Sequence, residues 1–286
     1  MVAELIAVGT ELLLGNIANT DAQFLSEKLS GLGITVHHHT VVGDNPRRLA
    51  QALETARGRA DIIITTGGLG PTYDDLTKQT ICRTFGRELE LHEDILEEIR
   101  TWFRNKLGLE MPENNVQQAL LPVGCVVFDN PVGTAPGCAF LEDGVHVLML
   151  PGPPFECRYM FEHRAARYLE QLTDGVIVSH EIKIFGMGES SVEEALREPM
   201  TQSANPTLAP YAKLNECMVR ATAKAEDREA AEAMLSPLVK QVCETLGDVV
   251  YGVDVDSLEA VAFGLLREKG LTLSAAESCT GGLVAK

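Results

Sequence analysis

The chain has 286 residues, which suits two domains with part of a third rather than a single core. Hydrophobic residues make up 45% and charged residues 23%, a composition that excludes a disordered chain. The formal net charge of −17 opposes binding to a nucleic-acid backbone or an anionic membrane face, since both need surface Lys and Arg. A small anionic substrate stays open, because backbone N–H groups and a metal ion make a pocket locally positive. The seven cysteines show no C-x-x-C spacing and read as buried thiols in a reducing compartment. The apolar run at the N-terminus ends at Val8, too short for a signal peptide or a membrane span. A cytoplasmic location is expected.

Leu5–Val8 reads as a buried strand ended by Gly9-Thr10-Glu11. Ala22, Leu25, Leu29 and Leu32 repeat at helical spacing behind a cap at Asn19 or Thr20. A β-branched strand follows at 34–42, then the loop Gly43-Asp44-Asn45, then a helix opened by Pro46. Asp61–Thr66 carries three consecutive isoleucines, the pattern of a central strand buried on both faces. Helical stretches near 75–85, 93–107 and 113–120 precede short strands at 125–128, 138–141 and 145–150, and a helix from Pro154. Alternating strands and helices predict right-handed βαβ units in an α/β, doubly wound, mostly parallel sheet over residues 1–173. Thr173-Asp174-Gly175 marks the expected boundary.

Residues 174–255 read as a small α+β module: a strand at 177–185, a helix at 191–200, a Pro-rich break at 205–210, a strand at 217–223 and a long helix at 227–246. From Ser257 a helix leads to an expected strand at Leu271–Ala275 and the turn Cys279-Thr280-Gly281-Gly282. Residues 256–286 are therefore expected to open a third, truncated domain.

The strongest chemical signal is the segment from Thr65 to Thr77, where Gly67, Gly68 and Gly70 follow a buried strand. Glycines there let backbone N–H groups approach a phosphate with no Cβ in the way, and a helix start favours an anion. The segment is neither a P-loop nor a dinucleotide fingerprint, lacking Gly-Lys-Ser/Thr and a glycine at Tyr73. Asp75, at the expected helix start, suits a metal ligand or an N-cap. In a doubly wound sheet the C-terminal strand ends line one crevice, so Glu11, Asp44 and Asp75 are candidates to converge on one hard divalent cation. Asn130–Gly137 and Leu150–Glu156 are Gly/Pro loops of the same kind. His37-His38-His39 alternates across a strand and makes no metal site, while Trp102 and Phe103 read as core-facing residues of their helix.

Taken together, Gly9-Thr10-Glu11 with Gly15 and Asn19, Gly67-Gly68-Leu69-Gly70 with Asp75 and Thr77, and Leu150-Pro151-Gly152-Pro153 resemble the molybdopterin-binding (MoaB/Mog-like) fold. Gly-Thr-Glu-Leu-Leu-Leu-Gly, Gly-Thr-Ala-Pro-Gly and Pro-Gly-Pro-Pro-x-Glu resemble the CinA branch, the competence/damage-inducible protein family. The resemblance runs in order over the whole chain. It implies an ADP-ribose pyrophosphatase domain, a KH-like middle module and a nicotinamide-nucleotide amidohydrolase domain, in pyridine-nucleotide recycling. By position it implies Asp44 and Asp75 as catalytic and metal-holding residues. It implies Gly9, Thr10, Glu11, Asn19, Gly67, Gly68, Gly70, Thr77, Gly133, Gly137 and Gly152 as substrate-binding, while Asp74 is not required by the motif. Ala276–Gly282 resembles the opening of the amidohydrolase, whose catalytic set would lie beyond Lys286, so deamidase activity is expected only in a longer chain.

The resemblance also implies a small-molecule nucleotide diphosphate as substrate, hydrolysed to AMP and ribose 5-phosphate. A homodimer is expected. Two rivals stand beside this reading: a molybdopterin-handling enzyme with the same crevice, and a nucleic-acid-binding scaffold working through the KH-like module. The second is disfavoured, because Gly186-Met187-Gly188-Glu189 is no basic Gly-x-x-Gly loop and acids outnumber bases there by roughly two to one.

Overall fold

A computed structural model describes residues 1–286 apart from Asp174, Ser203, Leu214, Asn215 and Lys286; Asp174, in the expected boundary, thus lies outside the described residues. Contacts divide the chain into two compact units, Met1–Gly175 and a second beginning at Val176.

The first unit runs β1 (Val2–Val8), α1 (Thr10–Leu13), α2 (Thr20–Gly31), β2 (Thr35–Val42), α3 (Pro46–Arg57), β3 (Ile62–Thr66) and α4 (Thr77–Phe85). It continues through β4 (Leu89–Leu91), α5 (Glu93–Trp102), β5 (Leu120–Pro122), β6 (Val126–Phe128), β7 (Gly137–Glu142), β8 (Val145–Leu150), α6 (Pro154–Met160) and α7 (Ala166–Glu170). Six strands form one sheet in the order β2-β1-β3-β8-β7-β6. The first four are parallel, and β8, β7 and β6 pair antiparallel. Period-2 alternation sends Ile62 and Ile64 to one face, with Leu25 and Leu29 of α2 and Met160 of α6. Ile63 faces the other way, toward Leu49 and Leu53 of α3 and Ile81 and Phe85 of α4. The three isoleucines are wholly buried, each stabilising the fold by about 1.5–3 kcal/mol.

Chain order explains where a ligand fits. From β1 the chain crosses through α2 to β2 on one side, then returns through α3 to β3 on the other side of β1. The loops leaving β1 and β3 therefore diverge and leave a crevice at their C-terminal ends.

The second unit has β9 (Val176–Phe185), α8 (Glu189–Gln202), β10 (Thr207–Lys213), β11 (Glu216–Ala225), α9 (Arg228–Leu246), β12 (Val250–Val253) and α10 (Leu258–Glu268). Its antiparallel sheet has the order β10-β11-β9-β12. Val178, Ile182, Ile184, Val219 and Ala221 pack against Val192 and Leu196 of α8 and Leu235 and Val242 of α9.

Three expectations about elements fail. Residues 207–210 are not a break but the start of β10, where Pro210 pairs with Val219 on an edge strand that tolerates a missing N–H. The strand expected at Leu271–Ala275 does not form: Leu271 is 58% and Leu273 70% exposed, and no neighbouring strand pairs with them among the described residues. Trp102 is only half-buried, whereas its neighbour Phe103 packs against the core.

Candidate active site

The crevice at the ends of β1, β3 and β8 has a volume of about 590 Å³. Nine of the expected site residues line it: Gly9, Glu11, Asn19, Asp44, Gly67, Gly68, Gly70, Asp75 and Gly152. Its floor is built from strand-end loops in close approach. A Cβ on Gly67, whose φ is +92°, would lie 2.2 Å from the Val8 carbonyl oxygen, and one on Gly152 would lie 3.1 Å from the Gly67 Cα. Gly67 must be glycine for these loops to meet, and a side chain at Gly152 would fit only if Gly67 gave way by a few tenths of an ångström.

Gly68 also has positive φ, +66°, but its missing Cβ serves the chain path rather than a ligand. A methyl there would run into the Thr77 hydroxyl at 2.0 Å, behind the turn. Thr77 itself is 1% exposed, is the first residue of α4, and donates its N–H to the Gly68 carbonyl, so it does not reach the crevice. The N–H groups of Gly68, Leu69 and Gly70 donate to no protein acceptor among the described residues, which leaves a row of donors along the loop.

Three further expectations are corrected. Thr10 does not face the crevice; its N–H and hydroxyl both donate to Asp44 Oδ2, at 2.9 and 2.8 Å, and so hold that carboxylate. Gly133 lies beside the crevice because the Glu156 carboxylate occupies the space a Cβ would need. Gly137 is buried in β7 against the Met160 sulfur and the Met149 carbonyl.

Asp75 also sits differently from its expected place at a helix start. α4 begins two residues later, so the carboxylate turns back on its own loop, where Oδ2 accepts from the Thr72 N–H at 2.8 Å and the Thr72 hydroxyl at 2.5 Å. Asp74 accepts from the same hydroxyl and shares a small gap with Asp44. Glu11, Asp44 and Asp75 border one crevice without closing into one centre: among the described residues no three His, Cys, Asp or Glu side chains stand close enough to hold a metal by themselves.

The loop is braced from behind. Gln117 donates its amide to the carbonyls of Gly70 and Thr72. Lys78, 3% exposed on α4, donates to the carbonyls of Gln117 and Gln118 at 2.8 and 2.9 Å, and burial brings its pKa down to about 8.

Part of the lining was not singled out from sequence. It comprises Asp21 at the start of α2, Glu156 of α6, Gln118 and Thr134. Burial raises both carboxyls: Asp21 to about 6, and Glu156 above its usual range despite a hydrogen bond from Asn130. Glu156 was legible as the acid of the Pro-Gly-Pro-Pro-x-Glu loop. Asp21 reads in sequence as an ordinary acid matching a helix dipole.

Glu11, Asp21, Asp44, Asp74, Asp75 and Glu156 give the crevice six carboxyl groups, and among the described residues no Lys or Arg lines it. Against them stand the N–H groups of the glycine loop and the N-terminus of α2, where Asn19, Thr20 and Asp21 border the opening.

Comparison with known proteins agrees with this architecture. Residues 4–171 match the family described as "Probable molybdopterin binding domain", and residues 179–252 match "Damage-inducible protein CinA KH domain". A CinA-like protein of Kosmotoga olearia is 49% identical over 285 residues, covering 100% of this chain and 69% of that protein. A CinA-like protein of Dictyoglomus turgidum is 49% identical over 284 residues, with 99% and 69% covered. The crystal structure of the protein CinA, of unknown function, from Thermoplasma acidophilum superposes with a TM-score of 0.52 at 32% identity, covering 58% of this chain and 96% of that one. With a molybdopterin-binding-type α/β unit carrying the crevice and a CinA-type KH unit after it, the chain belongs to the CinA family of competence/damage-inducible proteins.

Proposed function

We propose that the first unit hydrolyses the diphosphate of ADP-ribose or a related nucleotide to AMP and ribose 5-phosphate with a divalent metal ion. One observation carries this reading: the crevice is bordered by a glycine loop whose N–H groups have no protein acceptor, and its charged lining is all carboxyl, with no Lys or Arg, among the described residues. At an effective dielectric near 20, a carboxylate about 4 Å from a phosphate oxygen costs on the order of 4 kcal/mol. A bare diphosphate is therefore rejected and a metal-complexed one accepted.

The residues present fit such a metal. Asp44 and Asp75 are hard oxygen donors, each already oriented through Oδ2 by a threonine. A site of one or two carboxylates completed by substrate phosphates and water is the usual magnesium arrangement. When bound, the ion would neutralise diphosphate charge and acidify a water. The protein's own part is to hold phosphate oxygens on the loop N–H groups and to orient the water with Asp44 or Asp75.

The test is calorimetric titration of ADP-ribose with Mg²⁺ or with EDTA, alongside hydrolysis of a panel of nucleotide diphosphates. Binding and turnover that need the metal are expected. Equal ADP-ribose affinity in EDTA, or no hydrolysis of any diphosphate, overturns the reading. The match of residues 4–171 to a molybdopterin-binding family supports a second reading, a molybdopterin-handling enzyme using the same crevice. Turnover of molybdopterin with ATP, and none of ADP-ribose, would select it.

A further inference from the structure

We propose that Asp21 is a catalytic residue, the general acid that protonates the departing phosphate; this assignment rests on the diphosphate reading above. Asp21 is the second residue of α2, 6% exposed, and borders the same crevice as Asp44 and Asp75. Its Oδ1 is sealed from solvent and has no hydrogen-bond partner among the described residues. A carboxylate with a sealed, donorless oxygen costs much more than the neutral acid in the same place. Arg158 and Cys157 of α6 are the charged and titratable groups that face it. Burial outweighs the pull of Arg158 and raises the carboxyl to about 6, so about half of it is protonated at pH 6 and about a tenth at pH 7.

Asp44 and Asp75 differ in kind. Both keep an oxygen engaged by N–H and O–H donors, which fixes the carboxylate in place for a cation. A crevice that carries both donor-held carboxylates and a sealed, donorless carboxyl has the two kinds of group that acid catalysis requires. In the step, water attacks one phosphorus and the bond from that phosphorus to the bridging oxygen breaks. The electron pair stays on the bridging oxygen, which takes the Asp21 proton and leaves as a phosphate monoester. The proton shed by the attacking water passes to solvent, and solvent reprotonates Asp21. The second pKa of a phosphate monoester is about 6, so donor and acceptor are matched.

The experiment is the pH dependence of kcat/KM for ADP-ribose with Mg²⁺ from pH 5 to 8.5, for the wild type and Asp21→Asn. Wild-type kcat/KM should fall as pH rises through about 6, because the acid form is consumed. Asp21→Asn should lose about 100-fold or more in kcat and should lose that limb. Its calorimetric ADP-ribose affinity should stay within about threefold and its melting temperature should hold, since a neutral amide suits a site that disfavours charge. A flat wild-type profile overturns the assignment without any variant. So does an Asp21→Asn protein that keeps the limb, whatever its rate. A folded wild type with no ADP-ribose hydrolysis at any pH instead overturns the diphosphate reading, and this assignment with it.

Discussion

The two units handle acidic side chains in opposite ways. In the second unit the acids on the sheet and the helices beside it include several answered by bases: Glu181 by Lys183 and Arg220, Glu193 by Arg197, and Glu232 and Asp254 by His180. In the first unit the acids of the crevice have no basic partner along its lining, and hydroxyl and N–H donors hold them in place. Away from the crevice even the first unit obeys the common rule, since the buried Glu4 is paired with Arg59 and Thr40 at the far strand ends. Among the described residues, what sets the crevice apart is six carboxyl groups gathered in one place with no Lys or Arg among them.

The largest effect that separates the units is loss of turnover. Asp75→Asn should reduce metal-dependent ADP-ribose hydrolysis at least about 1,000-fold, some 4 kcal/mol of transition-state stabilisation. Glu193→Gln, which breaks an exposed pair in the second unit, should leave the rate unchanged. Comparable losses in both variants would erase the distinction.

Next in size is the contrast between two positive-φ glycines. Gly67→Ala should cost the first unit about 3 kcal/mol or more, from strain together with the Val8 carbonyl collision, read as a lower urea midpoint. Gly186→Ala in the second unit meets nothing within 4 Å of the new Cβ and should cost about 1–2 kcal/mol from φ alone. Gly68→Ala belongs with Gly67, because its penalty falls on Thr77, and a folded variant should keep its ADP-ribose affinity.

The smallest effect is a pH dependence of the second unit. Burial lowers the His180 pKa, but hydrogen bonds to Asp254 and Glu232, at 2.5 and 2.8 Å, raise it further, for a net rise. A base whose folded pKa is raised gives stability that is fully present below its unfolded value, about 6.5, and fades as pH climbs through the folded value. The unit's stability should therefore fall from pH 6 to pH 8.5 by on the order of 1 kcal/mol, read as a lower melting temperature, and His180→Gln should flatten that slope. A slope unchanged in the variant would remove His180 as its source.

What the sequence by itself determined was local. Three isoleucines in a row dictated a strand buried on both faces, helical spacing dictated α2, and the glycine run dictated an open turn after β3. These features depend on period and on φ, which neighbouring residues suffice to set. The site was legible as far as it sat at strand ends, which brought Asp44, Asp75 and the Gly67–Gly70 turn together. Which glycines face a ligand was not legible, because a missing Cβ looks the same whether it makes room for phosphate, for Thr77 or for Met160. Nor was Asp21, since its burial and its donorless oxygen arise only when α6 closes over the start of α2. The charge state of a carboxyl depends on what surrounds it in space, and only the tertiary structure supplied those surroundings.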